Sequence, residues 1–188
     1  MTALAILSAI IVVLTLFCSA VRIGPAEITL ALAPIVVGAA LFGPLAGLLL
    51  GAVMGITVFL SGYLSGSWLI ITLMEENPFW CVTICVLKSA VAGYLAGLVY
   101  SLFGKRDKSL TGVVLAGIVC PLVNTGIFLL GMFIFFDETL ALLAQMTGNE
   151  NVVAYAIFGL AGINFLIELI VNLVLSTGIE RIIKAVKK

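Results

Sequence analysis

Apolar residues fill most of this chain in long runs, and short groups of polar and charged residues separate the runs. A helix needs roughly 20 apolar residues to cross the hydrocarbon core of a membrane. The runs predict six such helices, at about residues 3–21, 28–42, 44–60, 79–103, 110–136 and 152–183. The intervening segments carry glycine, proline and charged residues, which favour turns. We therefore expect an all-α membrane protein whose six transmembrane helices form a single bundled domain over residues 1–188.

Glycines recur every fourth residue in the third of these helices. Gly43, Gly47, Gly51 and Gly55 form one strip without side chains. In water each interior glycine would cost a helix about 1 kcal/mol relative to alanine. In a bilayer, lipid does not compete for the backbone hydrogen bonds, and small residues at this spacing let a second helix approach closely. We expect the strip to pack against another helix of the bundle.

The composition agrees with a membrane location. Hydrophobic residues make up 63% of the chain and charged residues 10%, and the mean hydropathy is +1.35. Soluble globular proteins carry roughly 25% charged residues. Nine Lys and Arg balance nine Asp and Glu, so the net charge indicates no nucleic-acid partner.

Several chemistries are excluded by the residue types of the chain and by their spacing. It contains no histidine, so no Ser-His or Cys-His catalytic pair and no mixed Cys-His zinc site can form. The stretch GLVYSLFGKRDKS, residues 97–109, has six residues between its glycines and places Arg106 where a phosphate loop has Ser or Thr. We interpret the cysteines as small buried hydrophobes, at Cys18, Cys81, Cys85 and Cys120. No catalytic residue, metal or cofactor is expected in this chain.

Positive charges concentrate in two segments. Short loops that are rich in Lys and Arg face the cytoplasm in membrane proteins. Seven of the nine Lys and Arg residues lie in the link between the fourth and fifth helices and in the C-terminal tail, namely Lys105, Arg106, Lys108, Arg181, Lys184, Lys187 and Lys188. With six spans, both segments fall on the side of the N-terminus. We therefore expect both termini to be cytoplasmic.

Five polar residues fall inside the predicted spans, where charged and amide groups are rare and costly. They lie on the fourth, fifth and sixth helices: Lys88, Asn124, Asn164, Glu168 and Asn172. Counting about 1.5 Å per residue from the helix ends puts polar groups of all three helices into one slab just outside the midplane. The last three recur every four residues, so they share one face of the sixth helix.

Two interpretations of these residues remain open. In the first, Lys88 and Glu168 form a buried ion pair, and the asparagines make interhelical hydrogen bonds worth about 0.6 kcal/mol each on average. In the second, they line a pocket that opens to the outside, and Lys88 binds a ligand carboxylate. Trp68 and Trp80 lie near an outer loop, and aromatic side chains favour such sites. The predicted ligand-binding residues are Lys88, Asn124, Asn164, Glu168, Trp68 and Trp80.

The chain resembles a known family of transporter subunits. Six short spans, the turn FGPLAG after a short second helix, and asparagines on the fifth and sixth helices are similar to the substrate-binding S component of an energy-coupling factor (ECF) transporter. The stretch FGPLAGLLLG, residues 42–51, resembles the same turn in the riboflavin, folate and pantothenate branch. Ala5 and Ala9 resemble the small-residue motif through which S components dock on the transmembrane coupling subunit.

The resemblance implies a multi-pass protein of the bacterial cell membrane that captures a vitamin or vitamin precursor from outside the cell. It also implies partners: the coupling subunit, which would contact Ala5 and Ala9, and two ABC-type ATPase subunits that hydrolyse ATP. A membrane scaffold similar to the rod-shape protein of the bacterial cell wall machinery is the alternative that needs no ligand.

The resemblance also bears on the ligand. Asn124 and Asn164 match positions at which flavin-binding members place polar contacts. Those members carry a Lys one turn after the asparagine of the sixth helix, whereas this chain has Glu168 nearby. Lys88 suits an acidic vitamin such as pantothenate, and riboflavin and folate are the alternatives.

The predicted orientation can be tested by labelling engineered cysteines or tags in intact cells. Both termini should be found in the cytoplasm and residues 65–77 outside, because the Lys and Arg bias places the link and the tail inside. An external C-terminus would contradict the orientation and reverse the direction in which the pocket opens.

Overall fold

The computed structural model describes residues 2–18, 31–104 and 109–186, and all regular structure in these ranges is helical, which confirms the predicted all-α class. In chain order the elements are α1 (Thr2–Cys18), α2 (Leu32–Phe42), α3 (Pro44–Leu64), α4 (Trp68–Glu76), α5 (Pro78–Phe103), α6 (Ser109–Phe135), α7 (Asp137–Met146), α8 (Val152–Ala154), a π-helix (Tyr155–Gly162) and α9 (Ile163–Val186). The predicted break at residues 22–27, the cationic link at 105–108 and the last two lysines lie outside the described residues.

Four helical segments of the described chain are long and apolar enough to cross a membrane. They are α3, α5, α6 and the continuous segment Val152–Arg181. The helices α1 and α2 are also apolar but shorter. Four of the six predicted spans therefore have the required length, and the count of six stays a prediction that depends on α1 and α2.

The short length of α2 has a physical reason. It has 11 residues, and most of them are buried, including Leu32, Ile35 and Val36. A helix that is surrounded by protein does not have to match the thickness of the lipid. Gly43 ends α2 with a φ of 92°, which glycine tolerates, and Pro44 begins α3 at the first helical position. The predicted tight turn between the two helices is confirmed.

Two segments that the sequence predicted as loops contain short helices. The loop after the third span is occupied by the end of α3 and by α4, and most of the loop before the last span is occupied by α7. Both helices bury apolar side chains on one face, Leu69, Ile70 and Leu73 in α4 and Leu140 and Leu143 in α7. Their acidic residues, and the Ser and Gly residues just before α4, made them look like loops. A short amphipathic helix nevertheless needs only one apolar face to pack against the bundle.

The glycine strip packs against α5. Gly47, Gly51 and Gly55 are buried, and a Cβ atom added at any of them would collide with a backbone carbonyl group of α5. At Gly51 it would lie 2.7 Å from the carbonyl carbon of Ser89 and 2.9 Å from the Cα of Ala90. The prediction that the strip receives a second helix is confirmed for these three glycines, and their partner is α5. Gly43 instead lies in the turn before α3, where an added Cβ would meet nothing within 4 Å.

Two hydrophobic clusters fill the bundle. The first, here called the α2 cluster, joins α1, α2, α3, α5, α6 and α9 and includes Ile11, Ile35, Leu50, Val113 and Ile183. The second, here called the α7 cluster, lies where α4, α7 and the π-helix pack on α5 and α6 and includes Leu69, Ile84, Met132, Phe136 and Leu160. The two clusters lie towards opposite ends of α5 and α6.

The close contact between α3 and α5 predicts that adding one methyl group at a glycine of the strip lowers the stability of the protein. Gly51→Ala should lower the stability of the detergent-solubilised protein by about 1–3 kcal/mol, because the added carbon has no space between the backbones. Thermal unfolding would measure this. The matched control is Gly126→Ala on α6, where an added Cβ meets nothing within 4 Å, and which should cause no loss. Equal stability of the two variants would contradict the close contact.

Candidate functional site

A cavity lies where the α2 cluster and the α7 cluster meet, between α3, α4, α5, α6 and the last helix. It encloses about 90 Å³, several times the roughly 10–15 Å³ that one water molecule needs. Most of its wall is apolar and consists of Met54, Val58, Leu69, Ile70, Leu73, Cys81, Ile84, Cys85, Phe128, Met132, Phe136, Leu160 and Ala161. Its polar lining consists of Ser67, Lys88, Asn124, Thr125, Asn164 and Glu168.

Four of the six predicted ligand-binding residues meet in this cavity. Lys88 comes from α5, Asn124 from α6, and Asn164 and Glu168 from α9. Each lies on a long helix, which holds a side chain more firmly than a loop does. The predicted slab of polar groups is therefore one compartment, and its polar groups stand in an otherwise apolar wall.

Lys88 is half-buried on α5. Its Nζ atom lies 4.8 Å from the centroid of the Phe128 ring, within the roughly 6 Å at which an ammonium group is attracted to an aromatic face. The ring stabilises the cation without neutralising it. An anionic group in the cavity would add a charge-assisted hydrogen bond to the same ammonium.

Asn124 is almost fully buried, with 5% of its surface exposed. Its Oδ1 atom accepts a hydrogen bond from the hydroxyl of Ser89, at an Oγ–Oδ1 distance of 3.3 Å. Ser89 is completely buried on α5 and is not part of the cavity lining. The asparagine thus lies in the wall, and the serine lies behind it.

Asn164 contributes an acceptor that lacks a partner. Its Oδ1 atom is buried and has no hydrogen bond among the described residues. A buried polar atom left unpaired costs about 1–3 kcal/mol, so native proteins leave few of them. Because Asn164 lines the cavity, a hydrogen-bond donor on a bound molecule would satisfy this atom.

Glu168 and Asn172 lie one and two turns beyond Asn164 on α9. Glu168 is 4% exposed and lines the cavity, whereas Asn172 is 2% exposed and does not. The amide nitrogen of Asn172 donates to the backbone carbonyl of Glu168 at 2.9 Å, and its Oδ1 atom has no hydrogen bond among the described residues. Of the three residues predicted to share a face, the first two reach the cavity and the third lies beneath it.

The structure does not bring the two tryptophans to the cavity. Trp80 stacks on Phe135 with ring centroids 3.7 Å apart and packs beside the α7 cluster. Trp68 begins α4 and is 44% exposed. The aromatic part of the wall comes instead from Phe128 and Phe136.

The helix α4 forms one wall of the cavity. Leu69, Ile70 and Leu73 face it, as does Ser67 just before the helix. At the other end of α4, the carboxylate of Glu76 accepts a hydrogen bond of 2.5 Å from the hydroxyl of Thr139 on α7. The two short helices are therefore tied to each other beside the cavity.

Some lining residues were missed by the sequence analysis. Phe128 lies one turn after Asn124, so its position on the same helix face was a usable signal. Thr125 is adjacent to Asn124, and its short polar side chain gave no separate signal. Ser67 lay in a segment predicted as a loop. The π-helix, Tyr155–Gly162, has no side-chain signature, although its wider turns end directly before the helix that carries Asn164.

Long apolar helices that surround a cavity with a few charged and amide groups define an integral membrane protein with an internal site for a partly polar molecule. The family model of the ECF transporter substrate-specific component matches residues 1–180. The chain belongs to this family, whose members are transport-specificity subunits that take up a small-molecule substrate together with other ECF transporter subunits and are not enzymes. Comparisons with curated proteins and with solved structures found no significant match.

Proposed function

We propose that this chain captures a vitamin or vitamin precursor that bears a carboxylate, with pantothenate as the favoured substrate. The observation that supports this most is Lys88, the one cationic side chain among the described residues that line the cavity. A ligand carboxylate that binds there would lose its hydrogen bonds to water and accept one from the ammonium group of Lys88. Hydrogen bonds to charged groups are worth about 1.5–3 kcal/mol.

The remaining lining suits the other groups of pantothenate. Its amide and hydroxyl groups can bond Asn124 and Asn164, and a hydroxyl can donate to the carboxylate of Glu168. Its branched methyl groups can pack on the apolar wall near Met54 and Val58. The match is one of chemical types: an anion, hydrogen-bonding groups and an apolar centre.

Riboflavin and folate fit this lining less well. Riboflavin has no carboxylate for Lys88, and folate, which has carboxylates, adds a large aromatic ring system that would lie among mainly aliphatic side chains. The membrane scaffold is not favoured, because the chain belongs to a family of transport subunits.

We further propose that six spans cross the bacterial cell membrane, with both termini in the cytoplasm and the cavity nearer the outside. Two observations support this orientation. The cavity borders α4, which follows α3, and the α7 cluster, which lies at the start of α5 and the end of α6, whereas the link between these two helices joins the end of α5 to the start of α6. That link and the C-terminal tail hold most of the positive charges.

Docking on the coupling subunit, which works with two ABC-type ATPase subunits, is proposed to use Ala5 and Ala9. Both are exposed on α1 and lie one turn apart on the same helix face. Small exposed residues at four-residue spacing allow another helix to approach closely. The alanines are available for such a contact because none of the described helices buries them.

The substrate proposal is tested by thermal unfolding of the solubilised protein with pantothenate, riboflavin and folate. A ligand at 100 times its Kd should stabilise the protein by about 2.7 kcal/mol. Lys88→Met should raise the Kd for pantothenate about 30-fold or more, equivalent to about 2 kcal/mol. Arg181→Met, which removes an exposed charge on α9, is the control and should bind normally.

Two results would contradict this role of Lys88. An unaltered Kd in Lys88→Met would exclude a carboxylate contact. A loss of about 3–5 kcal/mol of stability in the unliganded Lys88→Met protein, largely recovered by adding Glu168→Gln, would instead identify an ion pair between the two residues.

The docking proposal is tested by co-purification with the coupling subunit. Ala5→Leu and Ala9→Leu should each reduce the amount of complex, because the larger side chain keeps the partner helix away, while ligand binding by the isolated chain stays intact. Ala3→Leu is the control, since Ala3 is exposed on the opposite face of α1. Equal loss of complex and of ligand binding would show that the alanines pack within the chain.

A further inference from the structure

We propose that Ser89, which does not line the cavity, is a positioning residue that decides which end of the Asn124 amide faces the ligand. An asparagine amide has an acceptor oxygen at one end and two donor hydrogens at the other. The side that faces the cavity therefore determines whether Asn124 recognises a ligand acceptor or a ligand donor. The inference rests on the proposed function only in assuming that the ligand occupies this cavity.

The hydroxyl of Ser89 has a single proton and two acceptors within reach. The Oδ1 atom of Asn124 lies at 3.3 Å and the backbone carbonyl of Cys85, one turn earlier on α5, at 3.5 Å. Donation to the nearer acceptor holds the oxygen end of the amide against α5. The two Nδ2 hydrogens are then left for a molecule in the cavity.

Ser89 has little freedom to change this arrangement. It is completely buried, so no water competes for its hydroxyl. Its backbone carbonyl lies directly against Gly51 of the glycine strip, where no Cβ atom would fit. The contact between α3 and α5 thus fixes the backbone at Ser89, and the hydrogen bond of its hydroxyl orients the amide of Asn124.

With the amide held this way, α5 and α6 present hydrogen-bond donors to the cavity and α9 presents acceptors. Lys88 and the Nδ2 atom of Asn124 present donors, while Asn164 presents an unpaired acceptor and Glu168 a carboxylate. A ligand with carboxylate or carbonyl oxygens at one end and hydroxyl or amino groups at the other satisfies both sets. A ligand with the reverse polarity would leave buried groups unpaired, which costs more than the bonds it gains.

A double-mutant cycle tests the coupling, with pantothenate as the probe. Ser89→Ala should raise the Kd about 3- to 10-fold, as expected for a neutral hydrogen bond that no longer holds the amide. In an Asn124→Ala background, Ser89→Ala should cause no further change, because the serine acts through the asparagine. Ser176→Ala is the control: it removes a buried hydroxyl that donates to Leu173 on α9, outside the cavity lining.

Each outcome of the cycle is decisive. No rise in Kd for Ser89→Ala, or the same rise with and without Asn124, would overturn the proposal. Should Ser89→Ala fail to fold, Ser89→Cys preserves the shape with a weaker donor, and the same comparison applies. If pantothenate does not bind the unaltered protein, the substrate assignment fails, and the cycle uses whichever of riboflavin and folate stabilises it.

A measurement without ligand tests the positioning role of Ser89 independently of the substrate proposal. In protein labelled with ¹⁵N at the asparagine side chains, the signals that disappear in Asn124→Ala belong to Asn124. These signals should shift in Ser89→Ala and stay in place in Ser176→Ala, because Ser89 bonds this amide and Ser176 bonds the backbone of Leu173 instead. Unshifted signals in Ser89→Ala would overturn the positioning role, whatever the substrate.

Discussion

The close contact between the backbones of α3 and α5 is the constraint on which the rest of the structure depends. Lipid is as apolar as leucine, so helices in a membrane gain little from burying apolar surface and associate through close packing instead. Gly47, Gly51 and Gly55 allow α5 to approach until its carbonyl groups touch α3. This contact permits very little sliding or rotation between the two helices. Because Lys88 and Ser89 lie in the contacting part of α5, their directions are set by the glycines of another helix.

The position of the cavity follows from how the apolar residues are distributed. The α2 cluster and the α7 cluster fill the bundle on either side of it, and the charged and amide groups of α5, α6 and α9 lie where the clusters meet. Some buried hydroxyls elsewhere bond their own helix: Thr57 donates to Val53 at 2.8 Å and Ser176 to Leu173 at 2.6 Å. The hydroxyls of Thr15 and Tyr155 and the Oδ1 atom of Asn172 have no hydrogen bond among the described residues. Asn164 also has a buried oxygen without a hydrogen bond among the described residues, and this residue belongs to the cavity wall. Among the described residues with such unpaired atoms, Asn164 is the one that lines the cavity, so a bound molecule can supply the missing hydrogen bond there.

The sequence predicted those features that depend on local patterns or on the cost of burying charge. Long apolar runs marked α3, α5, α6 and the last helix, four-residue glycine spacing marked the helix contact, and rare polar residues inside apolar runs marked the cavity wall. The pattern failed for α4 and α7, because short amphipathic helices with acidic residues at one end resemble loops. Trp68 and Trp80 were chosen for their residue type, yet neither lines the cavity: Trp68 is exposed, and Trp80 stacks on Phe135. Ser89 gave no signal, since a serine in an apolar helix usually bonds its own backbone.

The cavity wall consists of two kinds of element: long helices that carry the polar groups, and the short helix α4, which contributes mainly apolar side chains. The charged and amide groups belong to long helices that the bundle holds in place, whereas α4 contributes Leu69, Ile70, Leu73 and the preceding Ser67, with no charged side chain in the described lining. Hydrogen bonds and ion pairs depend steeply on distance and angle, so they require rigid supports. Apolar contacts are non-directional and tolerate small displacements. A shift of α4 would therefore change access to the cavity without disturbing the groups that recognise a ligand, and the bond between Thr139 and Glu76 links any such shift to α7.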